Sequence, residues 1–579
     1  MKQTGTEYKK PFGKEIFGRE AAAHYAYPRE NLIAEPIFPY FVLDGGAFNL
    51  ANDRFGTADG DDLLALTRSG KLFEEFRLGG PYNWERSFAY TGDTGFRKKY
   101  EWQIWPQRLY MTIPLAHAFL RTGDRQYADQ WLEIVRGWAA AHPYQDYRPE
   151  VHYMDTDMVW RDMQVGWRTL SLLHGVFMLQ DAPFTQADWQ YIYDLIRLHV
   201  SHIYRETRHR LTLGIAGNHF LQIGVALIMA GCLFPELPDS ADYIEAGSKT
   251  VELNLRNAIY ADGGSNEDSP SYSHFIVRLY LEAYLLLKNN GCPPIEGLRE
   301  SIVRQYEWLY QCQSPSGRVL RFSDSFGMDA MADLRRAEGL IDLDFPRERG
   351  SAVFRESGMA VLRRGRLTLI ADGMRFFPGH QHLGRPQILL FYGVDPILID
   401  AGCCNYDRWE LYLALRAPAC HNILFCPDFD YSSHPDAKEK ALRMDVSLKE
   451  FDGENYRVVL LCRMGWKDTT YEWERTLQLE ENRLIITDRA EASAPIRWLS
   501  SLFFARRDSQ LSEDGRVFRQ LTESYILEAA SKLPAGTELV PVMNDDNKLD
   551  YAVVTRIRTE GRTYENRTVL TFTDRPPLA

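Results

Sequence analysis

The feature that most constrains this 579-residue chain is a change of hydrophobic period near residue 350. Before it, apolar residues recur at helical spacing; after it they alternate in short runs separated by turns. Runs of helices followed by runs of strands imply segregated domains rather than a mixed α/β sheet. In the first part, Leu109 to Leu120 reads as a helix stopped by Gly123, and Tyr127 to Ala141 as a second before the His142-Pro143 break. Further helices are expected over Val165–Leu179, Thr185–Arg205, Phe220–Ala230, Ser271–Lys288 and Ile295–Cys312. Short turns between them suggest antiparallel neighbours. Phe220–Ala230 is apolar almost all round, which buries it on both sides. An inner helix of a double-layered ring has that property, so a closed ring is expected over residues 61–348. Residues 1–60, rich in Pro, Gly and aromatics, read as an irregular segment packing on it.

From residue 349 to 579 an antiparallel β-sandwich is expected. Met359–Leu362 and Leu367–Ile370 flank a turn at Gly365 and form a hairpin. Strands follow at Gln387–Tyr392, Ile397–Asp400, Tyr456–Cys462, Tyr471–Leu479 and Leu484–Asp488.

Charge and cysteine usage narrow the function classes. The net charge is −12 and no long Lys/Arg run occurs, which disfavours a nucleic-acid partner. An acidic glycan would then have to meet a local basic cleft rather than the global field. The 13 Trp and 31 Tyr could supply stacking platforms for sugars, or simply core. The eight cysteines follow no framework spacing, which fits reduced thiols. Met1 to Lys14 lacks a signal-like apolar stretch and no membrane span is visible, so a cytoplasmic location is expected, or a periplasmic or secreted one if the sequence is a trimmed mature form.

Four clusters concentrate reactive side chains. Gly217-Asn218-His219 opens the buried helix; Asn218 could serve only as its N-cap. Asn266 to His274 opens another helix, with Ser269 or Ser271 as a possible cap. Gly379-His380-Gln381-His382 sets two imidazoles on one face of an extended segment. With Asp400 and His421 downstream, His382 completes a two-His-one-carboxylate set that a divalent cation accepts. Finally, the stretch from Arg408-Trp409 to Arg416 offers Arg416 either to a substrate carboxylate or to a structural ion pair.

Taken in order, these clusters resemble the heparinase II/III family of polysaccharide lyases, which includes oligoalginate and glycosaminoglycan lyases. The resemblance rests on Arg108, Thr122-Gly123-Asp124, Trp160-Arg161-Asp162 with Gly166 and Arg168, Gly217-Asn218-His219 and Ser269-Pro270-Ser271-Tyr272. It continues through Phe354 to Gly358, Gly379 to His382, Asp400-Ala401-Gly402, and Arg416 five residues before His421-Asn422. It implies an α+β multidomain chain, an incomplete (α/α) toroid followed by an antiparallel β-sandwich. It further implies β-elimination on a 4-linked uronate glycan such as heparan sulfate, hyaluronan or chondroitin, with an alginate oligosaccharide as the alternative. A hydrolase on the same toroid would need two opposed carboxylates, and a non-catalytic glycan binder would bind without product.

Carried over by position, Asn218 and His219 correspond to the pair at the uronate carboxylate, Tyr272 to the catalytic tyrosine and His380 to the catalytic histidine. Arg416, Trp160, Arg161 and Glu267 are expected to contact substrate. His382, Asp400 and His421 match the metal positions, implying a structural zinc, with manganese or calcium also admissible. An acidic polysaccharide or oligosaccharide is the expected partner, as monomer or homodimer. The sequence departs from the family pattern at Leu383-Gly384-Arg385-Pro386 and at Ala417-Pro418-Ala419-Cys420, both expected to border the cleft.

Overall fold

The computed structural model describes residues 105–576 apart from 151–158, 236, 238, 347, 376–378, 405–408, 432–441 and 546–547. The expected irregular segment 1–60 and Arg408 lie outside the described residues. Two compact units emerge, one from the chain up to Ile259 with Phe275–Ile302, the other from Tyr260–His274 with Val303–Ala579.

The first unit is helical: α1 Thr112–Thr122, α2 Arg125–Ala141, α3 Asp162–Met178, α4 Gln186–Thr212, α5 Asn218–Leu233 and α6 Ser240–Ala258, followed by α7 Pro270–Asn289 and α8 Leu298–Gln311, which both units share. Gly123 ends α1 with φ 70°, as its position predicts. A capping box between Thr185 and Asp188 starts α4. The apolar helix α5 is buried from Phe220 to Leu233 and packs against α3, α4 and α6.

Helix α6 has no counterpart among the expected elements, because its inward face is built from small and polar residues. Gly247 and Thr250 lie against Gly224 of α5, and Asn254 accepts from the Gly217 N–H at its start, in place of a leucine stripe. A Cβ on Gly247 would lie 2.5 Å from the Gly224 carbonyl oxygen, so the two helices cross with backbones nearly touching.

The second unit carries fifteen strands among the described residues, every pairing antiparallel. The hairpin at Gly365 pairs Met359–Arg364 with Leu367–Asp372, and Gln387–Tyr392 adds to it. Two long strands, Arg483–Phe504 and Leu549–Asp574, run together with a register break between Glu491 and Ile496. All fifteen strands are joined in one continuously hydrogen-bonded sheet. Leu362, Leu369, Leu390, Leu460, Leu477, Ile486, Phe504 and Leu570 meet in one buried core. Two short helices decorate the unit, α9 Ala330–Glu338 and α10 Trp409–Arg416. Among the described residues no helix is long and apolar enough to cross a membrane.

The helical unit stores an acid sensitivity. Burial pushes His174 on α3 and His202 on α4 down to about 3, so both are neutral in the fold. Unfolded, each titrates near ~6.5. Their contribution is complete above that pH and declines as pH falls toward the folded value, by about 1.4 kcal/mol per unit for each group. Urea midpoints should therefore fall between neutral pH and pH ~4.5, and His174→Leu should flatten the slope. A midpoint independent of pH over that window would contradict this account.

Candidate active site

In the second unit the site is organised around Asp324, a residue the sequence did not single out. Its side chain is fully buried. One carboxylate oxygen lies 2.9 Å from Nδ1 of His380, the other 2.8 Å from Nε2 of His382. The Tyr412 hydroxyl donates to it as well, at 3.1 Å. Burial opposes the charge, but the two imidazoles and Arg416 outweigh it and hold the carboxyl well below its ordinary range. The Asp324 backbone N–H also donates to the His380 carbonyl at 2.9 Å. The His-x-His spacing thus sends both rings to one acceptor.

Three serines fix the start of α7 to the same turn. Ser269 and Ser271 hydroxyls donate to the Asp324 carbonyl at 2.9 and 3.2 Å, and the Ser271 N–H donates to the Ser325 hydroxyl at 3.1 Å. Next in line, Tyr272 is set with its ring stacked on His380, centroids 3.6 Å apart and planes 22° from parallel. Glu267 closes the other side, 3.7 Å from His380 Nε2. His274, in the same cluster, is engaged elsewhere by a buried 2.7 Å contact with Asp333.

Arg416 does not present a free fork. Its guanidinium reaches the Tyr412 hydroxyl and donates to the carbonyls of Gln381 at 2.7 Å and Gly379 at 3.3 Å. These bonds brace the loop that carries His380.

His382, Asp400 and His421 offer ligand atoms within 4.8 Å of one another, all buried. His421 Nδ1 lies 2.6 Å from Asp400, which also accepts from Gln387 and from the Gly402 N–H. Asn422 seats His421 by bonding the carbonyls of Ile388 and Ile399 and the N–H of Phe503. That leaves His382 Nδ1 and His421 Nε2 buried without a hydrogen-bond partner. Two orphaned imidazole nitrogens beside a carboxylate fit a divalent cation. A second group, Asp324, His382 and Cys403, shares His382 on its other side.

The Leu383–Pro386 departure is structural. Arg385 is buried and paired with Asp268 and, at 3.2 Å, with Asp372. A Cβ on Gly384 would sit 2.0 Å from the His421 ring, so only glycine lets that ring pack.

In the helical unit Asn218 is the first residue of α5, and the N-cap is Gly217, whose N–H donates to Asn254 Oδ1 at 2.6 Å. Asn218 is therefore not used as a cap. His219 is 43% exposed along its side chain, with Nδ1 2.6 Å from Asp162. Trp160 and Arg161 are corrected by their burial. Trp160 is 2% exposed, packed among Trp138, Tyr144, His199 and His202, and so lacks an open face for a sugar. Arg161 is 5% exposed, lies over the Tyr147 ring and donates to the Arg148 carbonyl at 2.9 Å.

Comparison with known proteins agrees with this architecture. Residues 57–349 match the heparinase II/III N-terminus and residues 346–565 the heparinase II/III-like C-terminal domain. The chain belongs to the heparinase II/III family. A heparin-sulfate lyase of Pedobacter heparinus is 27% identical over 202 residues, 33% of this chain and 29% of that protein. The chain thus aligns with less than a third of that relative's length. A solved heparinase III structure superposes with TM-score 0.70 at 16% identity, covering 86% of this chain and 80% of that one. A heparan sulfate lyase mutant from Pedobacter heparinus gives 0.63 at 17% identity, covering 96% and 89%. The fold is an incomplete (α/α) toroid followed by an antiparallel β-sandwich.

Gly384→Ala should destabilise the protein by roughly 1–3 kcal/mol, because the methyl must displace the His421 ring. Gly379→Ala, whose Cβ would meet nothing within 4 Å, serves as the control and should denature like wild type. Equal midpoints for the two variants would refute the packing argument.

Proposed function

We propose that this chain is a polysaccharide lyase cleaving 4-linked uronate glycans by β-elimination, with a glycosaminoglycan such as heparan sulfate, hyaluronan or chondroitin as substrate. The observation that carries the reading is the tyrosine–imidazole stack, Tyr272 on a His380 oriented by buried Asp324. Family membership and the names of the relatives support it.

The reaction removes the C5 proton of the uronate and breaks the C4–O4 bond. That proton becomes acidic only when charge developing on the C5 carboxylate is stabilised. Asn218 and His219 are proposed to hydrogen-bond this carboxylate, and such donors contribute roughly 3–4 kcal/mol each to the transition state. Asp324 occupies Nδ1 of His380 and leaves Nε2 as the working nitrogen. One of Tyr272 and His380 takes the C5 proton. The C–H electron pair becomes the C4–C5 double bond, and the other residue returns a proton to departing O4. Glu267, beside Nε2, is proposed to contact the substrate or steer that proton.

A divalent cation is proposed at His382, Asp400 and His421. The nitrogen-rich donor set favours zinc over calcium. Its contribution is to cross-link the loop bearing His380 to the sandwich strands, with bond making left to the side chains.

Tyr272→Phe should lower turnover by at least ~10²-fold while KM changes little, read from the ultraviolet absorbance of the unsaturated uronate. Turnover at the wild-type rate in that variant would remove Tyr272 from the mechanism. Elemental analysis of protein purified without chelators should find stoichiometric zinc, and its removal should lower the melting temperature and activity together until zinc is restored. Metal-free protein with full stability and activity would dispose of the cation.

A further inference from the structure

The helical unit contains a charged relay behind His219 that the reaction scheme above does not use. We propose that Asp162 is a positioning residue for His219 and that Arg210 keeps Asp162 in place and ionised. This deepens the lyase reading and rests on it.

Asp162 is 2% exposed along its side chain and spends both carboxylate oxygens. Oδ2 lies 2.6 Å from His219 Nδ1, and Oδ1 accepts from Arg210 Nη2 at 2.7 Å. Arg210 is only 16% exposed and is held from behind by Glu206, with Nε and Nη2 at 2.9 and 2.6 Å from the same oxygen. Helices α3, α4 and α5 each contribute one member, Asp162, Arg210 and His219. The orientation of the imidazole is thereby tied to helix packing rather than left to rotamer choice.

The backbone at Asp162 has φ 52°, in the left-handed region that aspartate and asparagine tolerate better than most residues. That conformation, directly after the extended Arg161, turns the first residue of α3 toward α4 and α5. A side chain that only started a helix would not need it. Ordinary N-capping is in fact absent there, since Arg161 occupies the cap position without a side-chain bond.

The consequence for the ring is specific. A carboxylate on Nδ1 selects the tautomer with the proton on that nitrogen and turns Nε2 outward on a residue that keeps 43% of its side-chain surface exposed. The same carboxylate also stabilises a protonated ring, so His219 can donate to an anionic group. Arg210 restrains Asp162 from turning toward other donors. The Trp-Arg-Asp run visible in the sequence thus contributes its third member to the site, while the first two are core.

Two measurements test this. In steady-state kinetics on a uronate glycan, Asp162→Asn, which tolerates the same φ, should lower kcat by about 10–100-fold and leave KM within about twofold. Arg210→Met should have a smaller effect in the same direction, and Arg210→Lys should restore most of the rate. In parallel, nitrogen NMR of histidine-labelled full-length protein should report His219, assigned through His219→Gln, as protonated at Nδ1. That signature should change in Asp162→Asn and in Arg210→Met. Since it needs no turnover, it decides the positioning role even if the glycan is not cleaved. An unchanged His219 tautomer in both variants, or wild-type kcat in Asp162→Asn, would overturn the proposal. If Asp162→Asn does not fold, Arg210→Met and Arg210→Lys decide the same question between them.

Discussion

A carboxylate removed from water and left ionised is among the costliest arrangements in a fold, and the loops that carry His380 and His382 are organised around one. Asp324 persists as an anion only because it receives donors from two imidazoles and a phenol at once. Each of those donors is fixed in turn. His380 cannot rotate without abandoning Asp324, and His382 cannot move without exposing the same charge. The loop between them is tied from the far side by Arg416 through two backbone carbonyls. The stack of Tyr272 on His380 inherits its precision from this arrangement, because Ser269 and Ser271 bind the same turn.

The two residues of the His-x-His pair diverge in chemistry through their second nitrogens. His380 gives Nδ1 to Asp324 and keeps a partly exposed edge beside Glu267. His382 gives Nε2 and buries its Nδ1 beside Asp400 and His421. One ring turns its second nitrogen toward Glu267 and the other toward the buried Asp400 and His421, though the two residues lie two positions apart. Asp162 and His219 repeat the device within the helical unit, with Arg210 as the second donor to the carboxylate, the place His382 takes at Asp324. Orienting a ring by a buried carboxylate is a general way to fix a tautomer before a substrate arrives.

Much of the architecture was legible because apolar periodicity reports burial. The Gly123 stop, the all-round apolar helix expected over Phe220–Ala230, the hairpin at Gly365 and the strand Gln387–Tyr392 correspond to observed elements. Ser240–Ala258 was not legible, since a helix that meets its neighbour through glycine, alanine and threonine leaves no hydrophobic stripe. Long strands were underestimated for a related reason. The strand Arg483–Phe504 alternates buried and exposed positions and runs far beyond the expected Leu484–Asp488, through a register shift between Glu491 and Ile496. Asp324 carried only a weak signal, a lone acid between two serines.

Sequence alone determined which residue types were present and the order of the two architectures, because periodicity and motif spacing are properties of the chain. It could not determine which donor each side chain meets. Trp160 and Arg161 look like a sugar platform in one dimension and are core in three, since burial depends on helices far away in sequence. Arg416 braces a loop, which its position in the sequence does not reveal, since carbonyls 35 and 37 positions earlier come within its reach. Hydrogen bonds and buried charges are settled by distances of a few ångström, and only tertiary packing sets those.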